Sequence, residues 1–334
     1  TIAANRTLEV VAGNNQVVSN SSGVFIAEGN IDIHNLSGYV ANEAALGTLC
    51  KNIEDVIVVS DEYNHASMIE GIRNSGCDKI IYRHNDLDHL EEILKSLPAD
   101  RPKIVAFESV YSMSGTIAPI GDICKLAKKY GAFTYLDEVH GVGLYGESGG
   151  GITDRDQVSD QVDLIQGTLG KAIGLCGGYI SGSKNLIDYI RSKAAGFIFT
   201  TSIPPVIAKG AAASIRFLRS YCGQSLRNQH QVNVLNFKQA LKKRNVDFWD
   251  HPSHIVPVIV GESTKCKRIT DRLMDEHNIY VQPINYPTVR EGTERMRLTP
   301  SAVHNIEMIM ACADAIEECL NHEMRPPKLE VLAS

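Results

Sequence analysis

The chain has 334 residues, which is enough for more than one domain, and its 43% hydrophobic and 22% charged residues are typical of a globular protein. A net charge of −6 without a cluster of Lys and Arg argues against nucleic acid or an anionic membrane as a partner. No apolar run reaches the ~18 residues of a membrane-spanning helix. The 8 cysteines form no C-x-x-C pair and have no His at zinc spacing, so we predict no metal site and reduced, mostly buried thiols.

The first half of the chain predicts alternating strands and helices. Residues 1–36 contain short apolar patches broken by Asn, Ser and Gly, and no element is predicted there. Short apolar runs then predict strands at residues 56–61, 79–85, 103–109, 133–138, 164–168 and 177–183. Helical stretches such as HASMIEGIRNSG and IGDICKLAKKYG lie between several of them. This alternation indicates βαβ units, so we predict an α/β fold with a mostly parallel sheet.

The second half predicts a smaller α/β domain. Helical patterns run through residues 207–218 and 225–244, and a strand (254–261) and a helix (266–278) follow. IYVQPINYP and RMRLTP predict two further strands, and HNIEMIMACADAIEECL predicts a last helix. We therefore expect an N-terminal segment that is divergent or truncated (1–36), a large domain (37–218) and a small C-terminal domain (219–334).

Two glycine-containing stretches resemble nucleotide-binding loops, but neither has the neighbouring sequence that such a loop requires. GVGLYG (141–146) fits the G-x-G-x-x-G template, but such glycines must open a helix directly after the first strand of the fold. Here they follow the fourth predicted strand and lead into ESGGGITDRD, for which no helix is predicted. QGTLGKA (166–172) lacks the glycine five residues before Gly170 and the Ser or Thr after the Lys of a P-loop. Neither stretch predicts a nucleotide site.

Polar side chains follow the ends of several predicted strands. They are Asn64, His65, Ser109, Asp137, His140, Thr168 and Lys171. Each alone has an ordinary structural explanation, such as a cap or a solvated charge. Because open parallel sheets bind ligands at the carboxyl edge, the set together is typical of a cofactor site with an amine nucleophile. Lys171 lies among small apolar residues in GTLGKAIGLCGG, where burial would favour the uncharged amine that a Schiff base requires.

Several longer motifs resemble the α-oxoamine synthases. They are FESVYSM, YLDEVHGVGLYG, GGGITDR, QGTLGKA, GGYI, AAGFIFTTSIPP and IYVQPINYPTV, and they occur in the family's order across roughly residues 37–320. Members of this family are fold-type I transferases that use pyridoxal 5′-phosphate (PLP) to condense an amino acid with an acyl-CoA. The resemblance therefore implies a PLP-binding large domain, a smaller C-terminal domain, and a homodimer whose active site is shared between subunits.

The resemblance also assigns the residues around the PLP ring. Lys171 matches the Schiff-base lysine, which also removes the α-proton of the amino acid. Asp137 matches the carboxylate that keeps the ring nitrogen protonated, so that the ring can take up negative charge. His140 and Ser109 match donors to the phenolic oxygen, and His65 matches the imidazole stacked on the ring. The glycines of GVGLYG then serve only to turn the chain tightly below the cofactor.

The resemblance assigns two sets of residues to the phosphate. The backbone N–H groups of Gly38 and Tyr39 match a cradle at a helix N-terminus, which suits an anion. Thr168 supplies a hydroxyl from the same subunit. Thr200 and Thr201 match threonines that reach the phosphate of the neighbouring subunit, which would make the dimer obligatory for activity.

The expected substrates follow from the closest motifs. GFIFTTSIPP and YVQPINYPTV are most similar to family members that join glycine to succinyl-CoA. Arg297 in RMRLTP matches the guanidinium that binds the substrate carboxylate, and the alternative is a surface salt bridge with Glu294. Two other readings are a family member with a different acyl group, such as 2-amino-3-ketobutyrate ligase, and a catalytically impaired partner subunit. The expected location is cytoplasmic in a bacterium or the mitochondrial matrix in a eukaryote.

The sequence departs from the family at its N-terminal side. NSSGVFIAEGNIDIHN does not match the family's G-G-T-R-N stretch, and an upstream arginine that helps to bind the acyl-CoA has no counterpart. We therefore expect PLP and glycine to bind and succinyl-CoA to be handled poorly. Ser114 and Gly141 stand where Asp and Ala are more usual, and we expect both changes to be tolerated.

Overall fold

The computed structural model describes residues 7–12, 15–22, 30–34, 37–200 and 203–324, with side chains described from Ser37 onward. The described chain divides into two compact units. The first unit runs to Tyr111 and from Ile117 to Arg227, and the second comprises Ser112–Thr116 and the chain from Asn228 onward. Among these described residues, no helix is both long and apolar enough to cross a bilayer.

The first unit is built on one sheet with helices in the connections. Its strands are β1 (Thr7–Ala12), β2 (Asn15–Ser22), β3 (Asn30–His34), β4 (Ile57–Asp61), β5 (Asp78–Tyr82), β6 (Lys103–Glu108), β7 (Ala132–Asp137), β8 (Leu164–Thr168) and β9 (Gly178–Gly182). Its helices are α1 (Gly38–Asn52), α2 (Ala66–Ser75), α3 (Leu87–Ser96), α4 (Ile120–Lys129), α5 (Ile152–Arg155), α6 (Lys184–Lys193), α7 (Ala195–Ile198) and α8 (Pro205–Arg219). A 3-10 turn covers Ser159–Gln161.

The sheet has the strand order β2-β1-β3-β9-β8-β7-β6-β4-β5. Strands β8, β7, β6, β4 and β5 are parallel to one another. Strand β9 pairs antiparallel with both β8 and β3. All residues of β4, β6 and β8 are buried, as expected for parallel strands covered on both faces. The predicted α/β fold with a mostly parallel sheet is confirmed, and the six predicted strands correspond to β4–β9.

The second unit has its own sheet and core. Helix α9 (Tyr221–Lys243) leads into it, and β10 (Val256–Ile259), α10 (Ser263–His277), β11 (Pro283–Ile284), β12 (Arg295–Leu298) and α11 (Ile306–Met324) follow. The three strands pair antiparallel in the order β10-β12-β11. Apolar residues of α9, α10 and α11 pack with those of β10 and β12 into a single buried cluster. This element order is the one predicted from the sequence.

The division between the units differs from the predicted segments 1–36, 37–218 and 219–334. The first turns of α9 stay with the first unit because the Arg227 guanidinium donates to the carbonyl oxygens of Leu218 and Glu147. Residues 1–36 are also not a separate segment where they are described, since β3 pairs along its length with β9. This pairing makes β1, β2 and β3 part of the large sheet.

Candidate active site

Asp137 ends β7 at the carboxyl edge of the parallel strands and is buried. Its Oδ1 accepts from the backbone N–H of Val139 at 2.8 Å, and its Oδ2 accepts from the side-chain amide of Asn42 at 2.6 Å. Burial raises the pKa of Asp137, whereas the hydrogen bonds from Asn42 and Val139, and then the charges of Lys171 and His65, oppose this rise. The neutral N–H donors thus favour the ionised carboxylate inside a site that desolvates it.

The side chains of Lys171 and His140 contact each other at the same sheet edge as Asp137. Lys171 lies in the loop after β8, His140 lies in the turn after β7, and Lys171 Nζ is 2.6 Å from His140 Nε2. The loop is closed by backbone hydrogen bonds from Leu169 to Gly177 and from Leu175 to Leu169, both 2.8 Å. The predicted burial of Lys171 is wrong, because the residue is exposed in the described structure. The loop folds over itself and leaves the long side chain on its outer surface.

The glycines of GVGLYG turn the chain, as predicted. Gly143 and Gly146 both have a φ of +83°, which glycine adopts without strain. A Cβ on Gly143 would overlap the Cβ of Ala172, so this glycine lets the turn after β7 approach the residue next to Lys171. The glycines therefore bring the His140 and Lys171 segments together.

His65 is the N-cap of α2, where its Nδ1 accepts from the Ser67 N–H at 3.2 Å and lies 2.7 Å from Ser67 Oγ. Its ring is 6.2 Å from that of Tyr39 in an edge-to-face arrangement. Although the residue keeps an exposed edge, desolvation by the surrounding protein lowers its pKa, and the Asp137 carboxylate opposes this shift. A ring held in this way is neutral near physiological pH.

The residues of this subunit that were predicted to bind a phosphate lie close together at the start of α1. Ser37 is the N-cap of α1, and Gly38 and Tyr39 begin the helix, where first-turn N–H groups suit an anion. A Cβ on Gly38 would lie 3.2 Å from Thr168 Oγ1, so the hydroxyl faces the start of the helix. Thr168 Oγ1 also accepts from the Gly170 N–H at 3.1 Å and donates to Gly177 O at 3.2 Å. Of the predicted cross-subunit pair, Thr200 is exposed, and Thr201 lies outside the described residues.

Two more buried acids surround Asp137. Glu138 accepts from the N–H groups of Ile152 at 2.9 Å and Thr153 at 3.2 Å, and thereby binds the start of α5. This short helix lies in ESGGGITDRD, where the sequence predicted none; a buried carboxylate fourteen residues earlier in the chain supplies its cap. Burial raises the pKa of Glu138 to about 7, opposed first by the Ser109 hydroxyl and then by these N–H groups.

Glu108 and Ser109 end the neighbouring strand. Glu108 pairs in register with Asp137 on β6 and β7, and burial raises its pKa well above the usual range, followed in importance by the Asp137 charge. Ser109 is fully buried, and its N–H donates to Asp137 O at 2.9 Å. The structure thus brings Ser109 to the strand end beside Asp137, as the sequence predicted.

Asn42 contacts the site from α1 and was not predicted from the sequence. Its amide donates to Asp137 and to Ser67 Oγ at 3.0 Å, and its Oδ1 accepts from the Tyr135 hydroxyl at 2.8 Å. The available signal was its spacing: Asn42 follows Gly38 by four residues and so lies on the same helix face. A polar amide on a face of α1 that is otherwise apolar needs buried partners.

Arg297 lies on β12 in the second unit. Its Nη1 donates to Ser112 O at 3.2 Å, and desolvation lowers its pKa. The alternative salt bridge with Glu294 is not formed, since the Glu294 carboxylate accepts from Ser263 Oγ instead. Arg297 lines a cavity of about 650 Å³ together with Tyr280 and other residues of the same unit. Its role in binding a substrate carboxylate stays a prediction.

Comparisons with known proteins show the family to which the chain belongs. Residues 25–316 match the aminotransferase class I and II family. The chain is 57% identical to a 5-aminolevulinate synthase of Rhizobium meliloti, over 80% of the chain and 66% of that protein. It is 54% identical to a 5-aminolevulinate synthase of Paracoccus denitrificans, over 82% and 67%. It is 50% identical to the erythroid-specific, mitochondrial enzyme of Bos taurus, over 85% and 48%. The chain thus spans about two thirds of these bacterial relatives and about half of the vertebrate one.

Solved structures show the same architecture. A serine palmitoyltransferase of S. paucimobilis with bound PLP superposes with a TM-score of 0.84 at 26% identity, covering 90% of this chain and 74% of that one. An 8-amino-7-oxononanoate synthase of Francisella tularensis superposes with a TM-score of 0.73 at 26% identity, covering 87% and 82%.

Proposed function

Because the chain belongs to the aminotransferase class I and II family, and within it to the 5-aminolevulinate synthases, we propose that it condenses glycine with succinyl-CoA. The products are 5-aminolevulinate, CoA and CO2, and this reaction opens one route to haem and other tetrapyrroles. The enzyme is a PLP-dependent acyltransferase with the fold of the fold-type I PLP transferases. The observation that carries the substrate assignment is the identity of 47–57% to curated synthases over most of the chain.

The residues present fit PLP. Asp137 offers a buried carboxylate whose two oxygens are already oriented by neutral donors, which suits a protonated ring nitrogen as its cationic partner. The close approach of Thr168 to Gly38 leaves a cradle at the start of α1 that any side chain on Gly38 would crowd. The Lys171 amine is within reach of His140 at the same sheet edge. We assign Lys171 to hold PLP covalently, Asp137 to the ring nitrogen, and Gly38, Tyr39 and Thr168 to the phosphate.

The chemistry then divides between the cofactor and the chain. PLP, when bound, supplies an electron sink for the negative charge that develops at the glycine α-carbon. Asp137 keeps a proton on the ring nitrogen, and the Lys171 amine accepts the α-proton of glycine at Nζ. His140, 2.6 Å from that Nζ, steadies the amine when it is protonated, because a neutral imidazole accepts its hydrogen bond. We assign the glycine carboxylate to Arg297.

We also propose that the enzyme is a homodimer. Large apolar side chains lie exposed on both sides of Thr200: Phe199 is 86% and Val206 74% exposed, and Ile198 is 48% exposed. An apolar surface of this kind is typical of an interface. The family resemblance implies that, in such a dimer, Thr200 and Thr201 reach the phosphate of the neighbouring subunit. The mitochondrial name of the Bos taurus relative supports a matrix location in a eukaryote, and the bacterial relatives support a cytoplasmic one in a bacterium.

The test measures turnover with the PLP-loaded protein and two acyl donors. With glycine present, succinyl-CoA should give 5-aminolevulinate, at a rate below about 0.1 s⁻¹ because the N-terminal side departs from the family, and acetyl-CoA should give much less product. Lys171→Ala serves as the inactive control. A clear preference for acetyl-CoA would contradict the substrate assignment, and glycine-independent release of CoA would contradict the reaction.

A further inference from the structure

The side-chain amide of Asn42 has hydrogen-bond partners in the site for both its N–H groups and its oxygen. Only 1% of the residue is exposed. Both amide hydrogens have acceptors, Asp137 Oδ2 at 2.6 Å and Ser67 Oγ at 3.0 Å, and Oδ1 accepts from the Tyr135 hydroxyl at 2.8 Å. One buried amide therefore joins a helix, a strand end and the first turn of α2.

Tyr135 determines which way this amide faces. The tyrosine is fully buried, and burial raises its pKa well above the usual range, so the phenol keeps its proton and donates it to Asn42 Oδ1. An amide turned by 180° would place its carbonyl oxygen against the Asp137 carboxylate, where two acceptors repel each other. The tyrosine thus keeps the NH2 group of Asn42 directed at Asp137 and Ser67.

Ser67 extends the network to His65. Because Ser67 Oγ accepts from Asn42, its own proton is directed to His65 Nδ1, 2.7 Å away. The Ser67 N–H reaches the same nitrogen at 3.2 Å. With Nδ1 accepting both, the neutral imidazole carries its proton on Nε2.

We propose that Asn42 is a positioning residue of the PLP site, which orients the Asp137 carboxylate and, through Ser67, fixes the tautomer and orientation of His65. This inference rests on the proposed function, because Asp137 and His65 matter jointly only where both contact PLP. A single amide then positions the carboxylate and the imidazole together.

Several titratable groups face Asp137 and could compete with this role. They are His65 at the start of α2, Glu108 at the end of β6, Tyr135 on β7, Lys171 after β8 and Tyr179 on β9. Burial is the main influence on the pKa of Asp137 and raises it, and the Asn42 hydrogen bond is the largest influence that lowers it, ahead of Lys171 and His65. Loss of the amide therefore shifts Asp137 toward its neutral form.

The experiment compares Asn42→Ala with a matched variant. Asn233 is also buried and lies in the second unit. Its amide likewise donates twice, to the carbonyl oxygens of Ser301 at 2.8 Å and His304 at 2.7 Å, and accepts once, from Gln229 at 2.9 Å. Asn233→Ala therefore reproduces the loss of a buried amide without touching Asp137. Tyr135→Phe is the milder variant of the network, since it removes one hydroxyl and leaves Asn42 in place.

Two readouts are taken over a range of pH: PLP release from the holoenzyme by equilibrium dialysis, and kcat/KM. In Asn42→Ala, PLP should bind about tenfold or more weakly near neutral pH, because a hydrogen bond to a charged group is lost. The acid limb of both profiles should move up by about one pH unit, so raising the pH should recover much of the loss. Tyr135→Phe should move in the same direction by less, and Asn233→Ala should lower thermal stability without moving either profile.

Unchanged acid limbs in Asn42→Ala and Tyr135→Phe would overturn the proposal, as would a loss in Asn42→Ala that higher pH does not recover. If Asn42→Ala fails to fold, Tyr135→Phe decides alone. The dialysis readout keeps this test separate from the proposed reaction. A protein that binds PLP with the predicted pH shift but does not turn over succinyl-CoA would contradict the reaction and leave the role of Asn42 intact.

Discussion

Replacing Glu138 by Gln should flatten the pH dependence of stability. Glu138 is fully buried and holds the start of α5 through the N–H groups of Ile152 and Thr153. The turn between Glu138 and Ile152 carries His140, so this carboxylate fixes the segment on which one active-site residue lies. Glutamine keeps the shape and one acceptor but removes the titration.

The magnitude follows from the pKa of Glu138, which burial raises from 4.5 to about 7. Since the native state binds this proton more tightly than the unfolded state, the contribution of Glu138 to stability is greatest at low pH and is lost as the pH rises through its folded-state pKa. Integration over the two pKa values gives a loss of about 2.5 kcal/mol between about pH 5 and about pH 8. Glu138→Gln should lack this loss.

Urea unfolding followed by circular dichroism at several pH values measures the difference between the two proteins. Asp122→Asn, at an exposed position, controls for the removal of any one carboxylate. The free energy of unfolding of the wild type, minus that of Glu138→Gln, should fall by about 2.5 kcal/mol across this pH range. Parallel curves would refute the reasoning, because they would show that Glu138 has the same pKa in the folded and unfolded chain.

Three further substitutions test the site. Lys171→Ala should abolish turnover and the visible absorbance of lysine-bound PLP, and an absorbance band that survives would contradict the assignment. Asp137→Asn should keep the fold by circular dichroism and lose on the order of 10²-fold in kcat, since a preorganised charge is removed; near-normal kcat would show that the ring nitrogen is paired elsewhere. Gly143→Ala should cost roughly 1–3 kcal/mol of stability in thermal unfolding, because its φ of +83° and the overlap with Ala172 both oppose a side chain. An unchanged melting temperature would mean that the turn adapts freely.

The parallel part of the sheet could be predicted because its strands are continuous apolar runs bounded by turns. Strands β4, β6 and β8 show this local signal most clearly, because all their residues are buried. The signal is weaker before residue 36: NIDIH alternates polar and apolar residues over only five positions, and its partner β9 lies about 150 residues away in the chain. Strand pairing of such long range is decided by the partner rather than by local propensity. The predicted strand IYVQPINYP is shorter in the structure and covers only Pro283–Ile284. Pro283 and Pro287 lack the backbone N–H that strand pairing requires.

The location of a site residue was predictable where that residue lies at the end of a parallel strand. Asp137, Ser109 and Thr168 follow from the rule that parallel strands bind ligands at their carboxyl edge. The exposure of Lys171 was not predictable, because it depends on how the loop after β8 closes on itself. Asn42 was missed for a related reason: its partners are 25 to 95 residues away, so its hydrogen bonds exist only once α1 has docked on the sheet.

The three buried acids at this sheet edge show why one of them suits a cationic cofactor. Burial raises the pKa of Glu108 well above its usual range, which favours the neutral form that needs no counter-charge. Glu138 is occupied by the two N–H groups at the start of α5. Asp137 is different, because hydrogen bonds from Asn42 and Val139 oppose the rise in its pKa that burial causes and so favour its charged form. Maintaining a buried charge is costly unless a partner of opposite charge binds next to it. The protonated nitrogen of the PLP ring is the partner that we propose for Asp137.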